Sequence, residues 1–350
     1  MIGKFKMQSK KIREIVNILK EYNNFIITSH VNLDGDALGS ELALYFILKQ
    51  LQKRVTIINQ DRIPYIYSFM PGIGNIICGD MLGNNFVLNI KPETVLIVLD
   101  SSNLERIGNI GIDLKKTKLI VNIDHHPSNT NYGHINYIDT TSSSVGEIIF
   151  HLCTELGCQL TEQIAKLLYA AIITDTGSFR YANTRAETFH SAYLLAKAGA
   201  NPHLIANYIY NNNELSGLKL LGEALLKLQT DLDSKISWTI VTREMIEHTC
   251  AKEEETEGIV DRILSIKCVQ VSVLFRETGE GKIKISFRSK GEFNVDCFAK
   301  IFGGGGHPNA AGCQLEGNIH TIVEKIISEL KRALDSFQFK YNSQSFSREI

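Results

Sequence analysis

The sequence predicts an α/β protein, with an N-terminal doubly wound, mostly parallel sheet joined by a helical linker to a smaller α/β domain. Three observations carry this expectation. Short runs of Val, Ile and Leu, nearly continuous rather than alternating, recur between helical segments, as in parallel sheets covered by helices on both faces. Several of these runs end on polar or ionisable residues, at the edge where open α/β sheets place their sites. Beyond residue 233 the strands begin to alternate, as half-buried strands do.

The elements follow in order. Residues 9–22 read as an amphipathic helix, with Ile12, Ile15, Val16 and Leu19 at helical spacing. A strand at 25–28 leads to a helix at 36–51 and a strand at 55–58. The strand at 95–99 ends on Asp100, and the strand at 119–123 ends on Asp124. Helices are expected at 143–157, 161–173, 184–199 and 202–211. Thr161 suits a helix start, Thr184 with Glu187 has capping-box spacing, and Asn201-Pro202 separates the last two. An apolar-periodic helix at 215–229 joins the two halves. A strand at 236–241, a helix at 256–266, strands at 269–273 and 282–288 around a turn, and a helix at 320–335 make up the second half. The resulting domains are 1–212 and 233–336, with a linker at 213–232 and a loose polar tail at 337–350.

Composition narrows the function. The chain has 350 residues, 44% hydrophobic and 21% charged, with a net charge of -1. That balance argues against coating long double-stranded nucleic acid, which needs a basic surface, but leaves room for a small anion in a local pocket. The seven cysteines are odd in number and have no Cys-x-x-Cys spacing, which points to a reducing compartment. The N-terminus lacks a secretory apolar region, and no run is long and clean enough to cross a bilayer. A cytoplasmic location is the expectation.

The chemistry concentrates at strand ends. His30, Asp34 and Asp36 fall within seven residues where a strand gives way to a helix, and Gly35 permits a sharp turn between the two aspartates. Asp100 closes an apolar strand, Asp124-His125-His126 closes another, and Asp175 ends an apolar segment. A carboxylate abutting such runs needs a partner. Each residue alone has an ordinary reading as a helix cap, a turn or a buried histidine, but the set across separate core elements does not. Oxygen and nitrogen donors without sulfur suit Mn²⁺, Mg²⁺ or Co²⁺. Two such ions about 3.5–4 Å apart activate a water and hold phosphoryl oxygens. In the second half, Gly303–Gly306 is expected to be a flexible turn able to form an anion nest, with His307 beside it and Arg288 on a strand able to grip phosphate. Arg180 lies either near this chemistry or against a carboxylate, and Ser142, Ser143 and Ser144 suit a helix cap.

In this order the motifs closely resemble the DHH phosphoesterase superfamily. The segment from His30 to Asp36 resembles its first motif, Asp100 its second, Asp124-His125-His126 the motif that names it, and Thr174-Asp175-Thr176-Gly177 its fourth. Gly303-Gly304-Gly305-Gly306-His307 with Ala310-Ala311-Gly312 resembles the glycine-rich motif of the associated DHHA1 domain. Leu33 departs from the proline common at that position but offers no ligand atom. The resemblance spans roughly 23–320.

The resemblance implies an enzyme holding two Mn²⁺, or Mg²⁺ or Co²⁺. His30, Asp34 and Asp100 would hold one ion; Asp36, Asp100, His125 and Asp175 would hold the other, with Asp100 shared. Asp36, Asp100, Asp124 and His126 form the implied catalytic set, His126 near the phosphate or attacking water and Asp124 orienting an imidazole. Arg288, Ser289, Gly304, Gly305, Gly306 and His307 are the implied substrate-binding set, in a cleft between the domains. The nearest branch is the short bacterial enzymes acting on oligoribonucleotides of about two to five nucleotides and on 3'-phosphoadenosine-5'-phosphate. Alternatives are a cyclic-di-AMP or linear dinucleotide (pApA) phosphodiesterase, a pyrophosphatase, and a non-catalytic nucleotide-binding module. The family also suggests a homodimer.

Overall fold

The computed structural model describes residues 10–79, 88 and 90–345. It divides into two compact units between Asn212 and Asn213.

The first unit contains α1 (Lys10–Glu21), β1 (Asn24–Thr28), α2 (Gly35–Gln50), β2 (Arg54–Asn59), β3 (Ile76–Cys78), β4 (Thr94–Leu99), β5 (Leu119–Asp124), β6 (Ile135–Ile138), α3 (Val145–Leu156), α4 (Glu162–Asp175), α5 (Ala186–Lys197) and α6 (Pro202–Tyr210). Its sheet runs β3-β2-β1-β4-β5-β6, and every pairing is parallel. The strand order reverses between β1 and β4, which opens a crevice at their C-terminal ends. β4 is buried along its whole length, as its unbroken Val-Leu-Ile-Val-Leu run requires.

One sheet face carries α1 to α4, with Phe25, Ile27, Val95, Ile97 and Val121 packed against Leu38, Leu42, Ile149 and Leu168. The other presents Ile26, Ile58, Leu96, Val98 and Ile120. Among the described residues that second face is covered by segments around Ile107, Ile110 and Leu114, with short 3-10 turns at Leu104–Ile107 and Leu114–Lys116 instead of long helices. Helix α2 is buried on nearly all sides, which its apolar composition allows. Gly35 and Gly39 face α4 one turn apart. A Cβ at Gly35 would lie 2.5 Å from the Thr174 side chain, and one at Gly39 2.5 Å from Leu167 O. These two glycines let α2 approach α4, and so bring Asp36 toward Asp175.

Cap positions refine the expected boundaries. Ser144 caps α3 and Thr161 caps α4. Helix α5 begins after Arg185, not Thr184, because the Thr188 hydroxyl, rather than Glu187, accepts the Arg185 N–H. The short edge strands β3 and β6 escaped the periodicity reading.

The second unit contains α7 (Leu215–Leu226), β7 (Gln229–Asp231), β8 (Ile236–Val241), α8 (Arg243–Thr249), α9 (Ile259–Leu264), β9 (Val271–Glu277), β10 (Lys282–Ser289), α10 (Val295–Lys300), β11 (Gly305–His307), β12 (Ala310–Glu316) and α11 (Ile319–Ser345). Its sheet runs β11-β12-β10-β9-β8-β7, antiparallel except for β8 beside β9. Ile285 and Phe287 on one face pack in a core with Phe298 of α10 and with Ile326 and Leu330 of α11. Leu274 on the other packs with Leu220 and Ala224 of α7, Met245 of α8 and Val260 of α9. The helix expected as a linker is therefore built into the second unit's core.

The expected loose tail is corrected in part. Helix α11 continues to Ser345, since 337–345 contains no glycine or proline to stop it. Residues 346–350 lie outside the described residues.

Candidate metal centre

The crevice beyond β1, β4 and β5 gathers the candidate ligands. Three groups place ligand atoms within 4.8 Å of one another: His30, Asp34 and Asp100; Asp36, His125 and Asp175; and Asp100, His125 and His126. All six residues expected to bind metal are among them.

Local structure explains each placement. His30 Nδ1 lies 2.8 Å from Val31 O, which can only accept. That contact puts the proton on Nδ1 and leaves Nε2 facing Asp34 Oδ2 at 3.6 Å and Asp100 Oδ2 at 3.4 Å. Asp34 is both a cap and a cluster member, its Oδ1 accepting the Ala37 N–H at the start of α2. Asp36 is buried, and its carboxylate accepts the N–H groups of Val145 at 2.7 Å and Gly146 at 2.8 Å. Gly146 makes this approach feasible, because a Cβ there would lie 2.4 Å from the Ala171 Cβ.

Asp100 follows β4 in the left-handed region, with φ 53°. The conformation is costly without glycine. It is held by the Asp100 N–H donating to Ile123 O, and by Asn122, Asn129 and Tyr132 side chains all donating to the next carbonyl, Ser101 O. Asp100 is thereby aimed so that Oδ2 meets His30 while Oδ1 lies 3.6 Å from His125 Nε2. His125 Nε2 also lies 3.5 Å from Asp175 Oδ2 at the end of α4.

Asp124 sits one step behind the ligands. Its Oδ1 accepts from His126 Nδ1 at 2.6 Å and from the His125 N–H, and its Oδ2 accepts from Asn129. It orients the His126 ring, leaving Nε2 as that ring's basic nitrogen. Asp124 belongs to none of the three ligand groups, so its expected catalytic role narrows to positioning.

The electrostatics are those of a site built around cations. Burial raises the Asp36 carboxyl well above its ordinary range, and Asp100 and Asp175 push it the same way. Burial likewise lifts Asp175 to about 7 against the pull of His125. Burial alone would lower His125, but Asp175, Asp100 and Asp36 outweigh it and raise the ring to about 9. Asp124 is held at about 2 despite burial, chiefly by the His126 hydrogen bond. Buried His30 Nε2 and Asp100 Oδ1 make no hydrogen bond. A divalent cation fits this donor set, compensating the crowded carboxylates and satisfying these atoms.

Several supporting residues gave no sequence signal. Asn183 donates to Asp175 O, Asp175 Oδ2 and Ser143 O. Asn59 receives the Ser29 N–H beside His30 and donates to the buried Glu41. Arg180, expected near the chemistry or on a carboxylate, donates through Nε to Gly177 O, two residues beyond Asp175.

Glu41 offers a test of these electrostatics. Burial raises its carboxyl from 4.5 to about 8. The folded state therefore binds this proton more tightly than the unfolded chain does. The resulting stability is fully present below the unfolded value and is lost as pH rises through about 8. Glu41→Gln should melt about 5 °C or more above the wild type at alkaline pH. The difference should vanish in melts at acid pH; a pH-independent difference would contradict the buried proton.

The second unit modifies the expected substrate set. Arg288 Nε lies 3.2 Å from Asp261 Oδ1 on α9. The register places His307, Ala310 and Arg288 in one row across β11, β12 and β10; the His307 side chain lies outside the described residues. Ser289 is corrected: its buried hydroxyl donates to Phe293 O and accepts from Asn309, so it holds a turn. The glycine run is also corrected, being partly strand. Gly303, Gly304 and Gly306 donate their N–H groups to Lys300 O, Ala299 O and Asp296 Oδ1, so no open anion nest forms. A Cβ at Gly304 would lie 2.1 Å from Gly312 O. Glycine is required there, as at Gly306, for close pairing with β12, while Gly305 sits opposite Gly312.

No described helix is long and apolar enough to cross a membrane. Residues 24–172 match the DHH family, N-terminal domain, and residues 235–335 match the DHHA1 domain. The chain is 30% identical over 330 residues to the bifunctional oligoribonuclease and PAP phosphatase NrnA of Thermus thermophilus, covering 93% of this chain and 96% of that one. It is 28% identical over 313 residues to the protein of the same name from Bacillus subtilis, covering 86% and 92%. The crystal structure of an exopolyphosphatase-related protein from Bacteroides fragilis superposes with a TM-score of 0.83 at 29% identity, covering 93% and 96%. Similarity along nearly the whole of both chains, with the two domains matched in order over the clustered ligands, makes this chain a member of the DHH/DHHA1 family and a metal-binding phosphoesterase.

Proposed function

We propose that the protein hydrolyses short oligoribonucleotides, of about two to five nucleotides, and 3'-phosphoadenosine-5'-phosphate, with two Mn²⁺ ions. The observation that carries the reading is the Asp100 carboxylate, which turns one oxygen to His30 and the other to His125. On this reading His30, Asp34 and Asp100 hold one ion, and Asp36, Asp100, His125 and Asp175 the other. When bound, the cations lower the pKa of a water and offset charge on the phosphoryl oxygens. His126, its Nδ1 proton held by Asp124, offers Nε2 to accept the proton leaving the water, and once protonated that nitrogen can donate to a phosphate oxygen.

The substrate class rests on the names of the Thermus thermophilus and Bacillus subtilis relatives, which join oligoribonuclease to PAP phosphatase. Arg288, with His307 in the same sheet row, is the proposed grip on a substrate phosphate, and Gly304, Gly305 and Gly306 contribute closeness of approach rather than an anion nest. A cytoplasmic homodimer acting on free nucleotides completes the reading.

The test is a Mn²⁺ assay offering 3'-phosphoadenosine-5'-phosphate, di- to pentanucleotide RNA, pApA and cyclic-di-AMP side by side. The proposal expects the bisphosphate and short RNA to have the highest kcat/KM. Exclusive hydrolysis of cyclic-di-AMP would overturn it. Arg288→Ala should raise KM for short RNA by about 10- to 100-fold, the loss of a charge-assisted phosphate contact. Its Mn²⁺ content should stay at the wild-type level, and loss of metal would refute the division of labour.

A further inference from the structure

Glu147 lies on the first turn of α3, is buried, and belongs to none of the ligand groups. A buried carboxylate is costly unless its oxygens are matched by donors. Here the Ser143 N–H and Ser143 hydroxyl both donate to Oε2 at 2.8 Å, and the Thr188 hydroxyl reaches the same oxygen at 3.4 Å. The Ser191 hydroxyl donates to Oε1 at 3.1 Å. Glu147 thus ties the turn at 142–146 to α5.

The polar groups of that turn point to one half of the metal centre. Ser142 O lies 3.3 Å from His125 Nδ1. Ser143 O accepts from Asn183, which also donates to the backbone and side chain of Asp175. The N–H groups of Val145 and Gly146 hold Asp36. Asp36, His125 and Asp175 are one complete candidate group. The His30–Asp34–Asp100 group is organised elsewhere, by Val31 O, the cap of α2 and the contacts around Ser101.

We propose that Glu147 is a positioning residue for the Asp36–His125–Asp175 half of the centre, acting through the turn it anchors. The inference rests on the two-ion reading above. It gives the two ions unequal dependence on the same distant side chain, because only one half is keyed to the turn.

The test is Mn²⁺ binding to the full chain, followed by calorimetry and by the electron paramagnetic resonance signal of coupled ions, with circular dichroism melts to show folding. Wild type is expected to bind two ions. Glu147→Ala should keep one at wild-type affinity and weaken the other by about 10- to 100-fold, the usual cost of removing support behind a ligand. Glu147→Gln retains an amide oxygen for Ser143 and should recover most of the lost affinity. If Glu147→Ala does not fold, Ser143→Ala decides, since it removes the hydroxyl that donates to Glu147 Oε2 and leaves every direct contact to Asp36, His125 and Asp175 in place, and it should show the same one-site loss in milder form. Equal weakening of both sites, or of neither, in a folded variant would overturn the proposal. A wild type that binds a single ion would instead overturn the two-ion reading itself.

Discussion

Asp100→Ala should lower turnover by on the order of 10³-fold or more, because on the proposed two-ion reading several kcal/mol of transition-state stabilisation depend on ions that Asp100 would help hold. Its Oδ2 is turned to His30 and its Oδ1 to His125. Its removal should therefore lower occupancy in both halves of the centre, unlike loss of Asp34 or Asp175. Steady-state rates in saturating Mn²⁺, read beside metal content, check the result. A variant with near-wild-type rate would sink the shared-carboxylate geometry.

Stripping the metal should cost substantial thermal stability. An ion held at a thousand times its dissociation constant stabilises the folded state by about 4 kcal/mol, equivalent to roughly 10 °C in the melting temperature of the first unit. Chelator-treated protein should melt lower by about that amount and recover with Mn²⁺. Asp100→Ala should lose this response. The stripped variant should melt no lower than stripped wild type, since Asp100 raises both Asp36 and Asp175 and its removal relieves repulsion. Activity and metal-free stability then move in opposite directions at one residue, as expected where a site stores unfavourable charge. A variant that still gained the full shift with Mn²⁺ would contradict this account.

The parallel sheet was legible because its central strands are buried on both faces and so cannot afford alternation. The candidate ligands were legible as a set because ionisable residues at the ends of such strands have few other reasons to be there. What escaped was of two kinds. Short edge strands such as β3 and β11, three residues each, are too short to leave a periodic trace. The residues behind the candidate ligands, among them Asn59, Asn129 and Asn183, bridge separate elements, Asn59 reaching Ser29, Asn129 reaching Ser101 and Asn183 reaching Ser143, which no local pattern encodes. The glycine run shows the converse limit. Four glycines announced an unusual backbone, but the structure uses the amides of three of them for the carbonyls at the end of α10 and for Asp296, not for an open anion site.

The reversal of strand order between β1 and β4 also bears on how the centre comes into being during synthesis. His30 and Asp36 leave the ribosome early, yet the strand that must lie beside β1 to deliver Asp100 arrives some seventy residues later. Asp175 and its clasp Asn183 come later still. Such non-local pairings form slowly, after long loops have closed. A nascent chain shorter than residue 183 would carry most of the ligands and lack a finished centre. Ion capture then waits until synthesis has passed residue 183, with the last two helices of the first unit still to come.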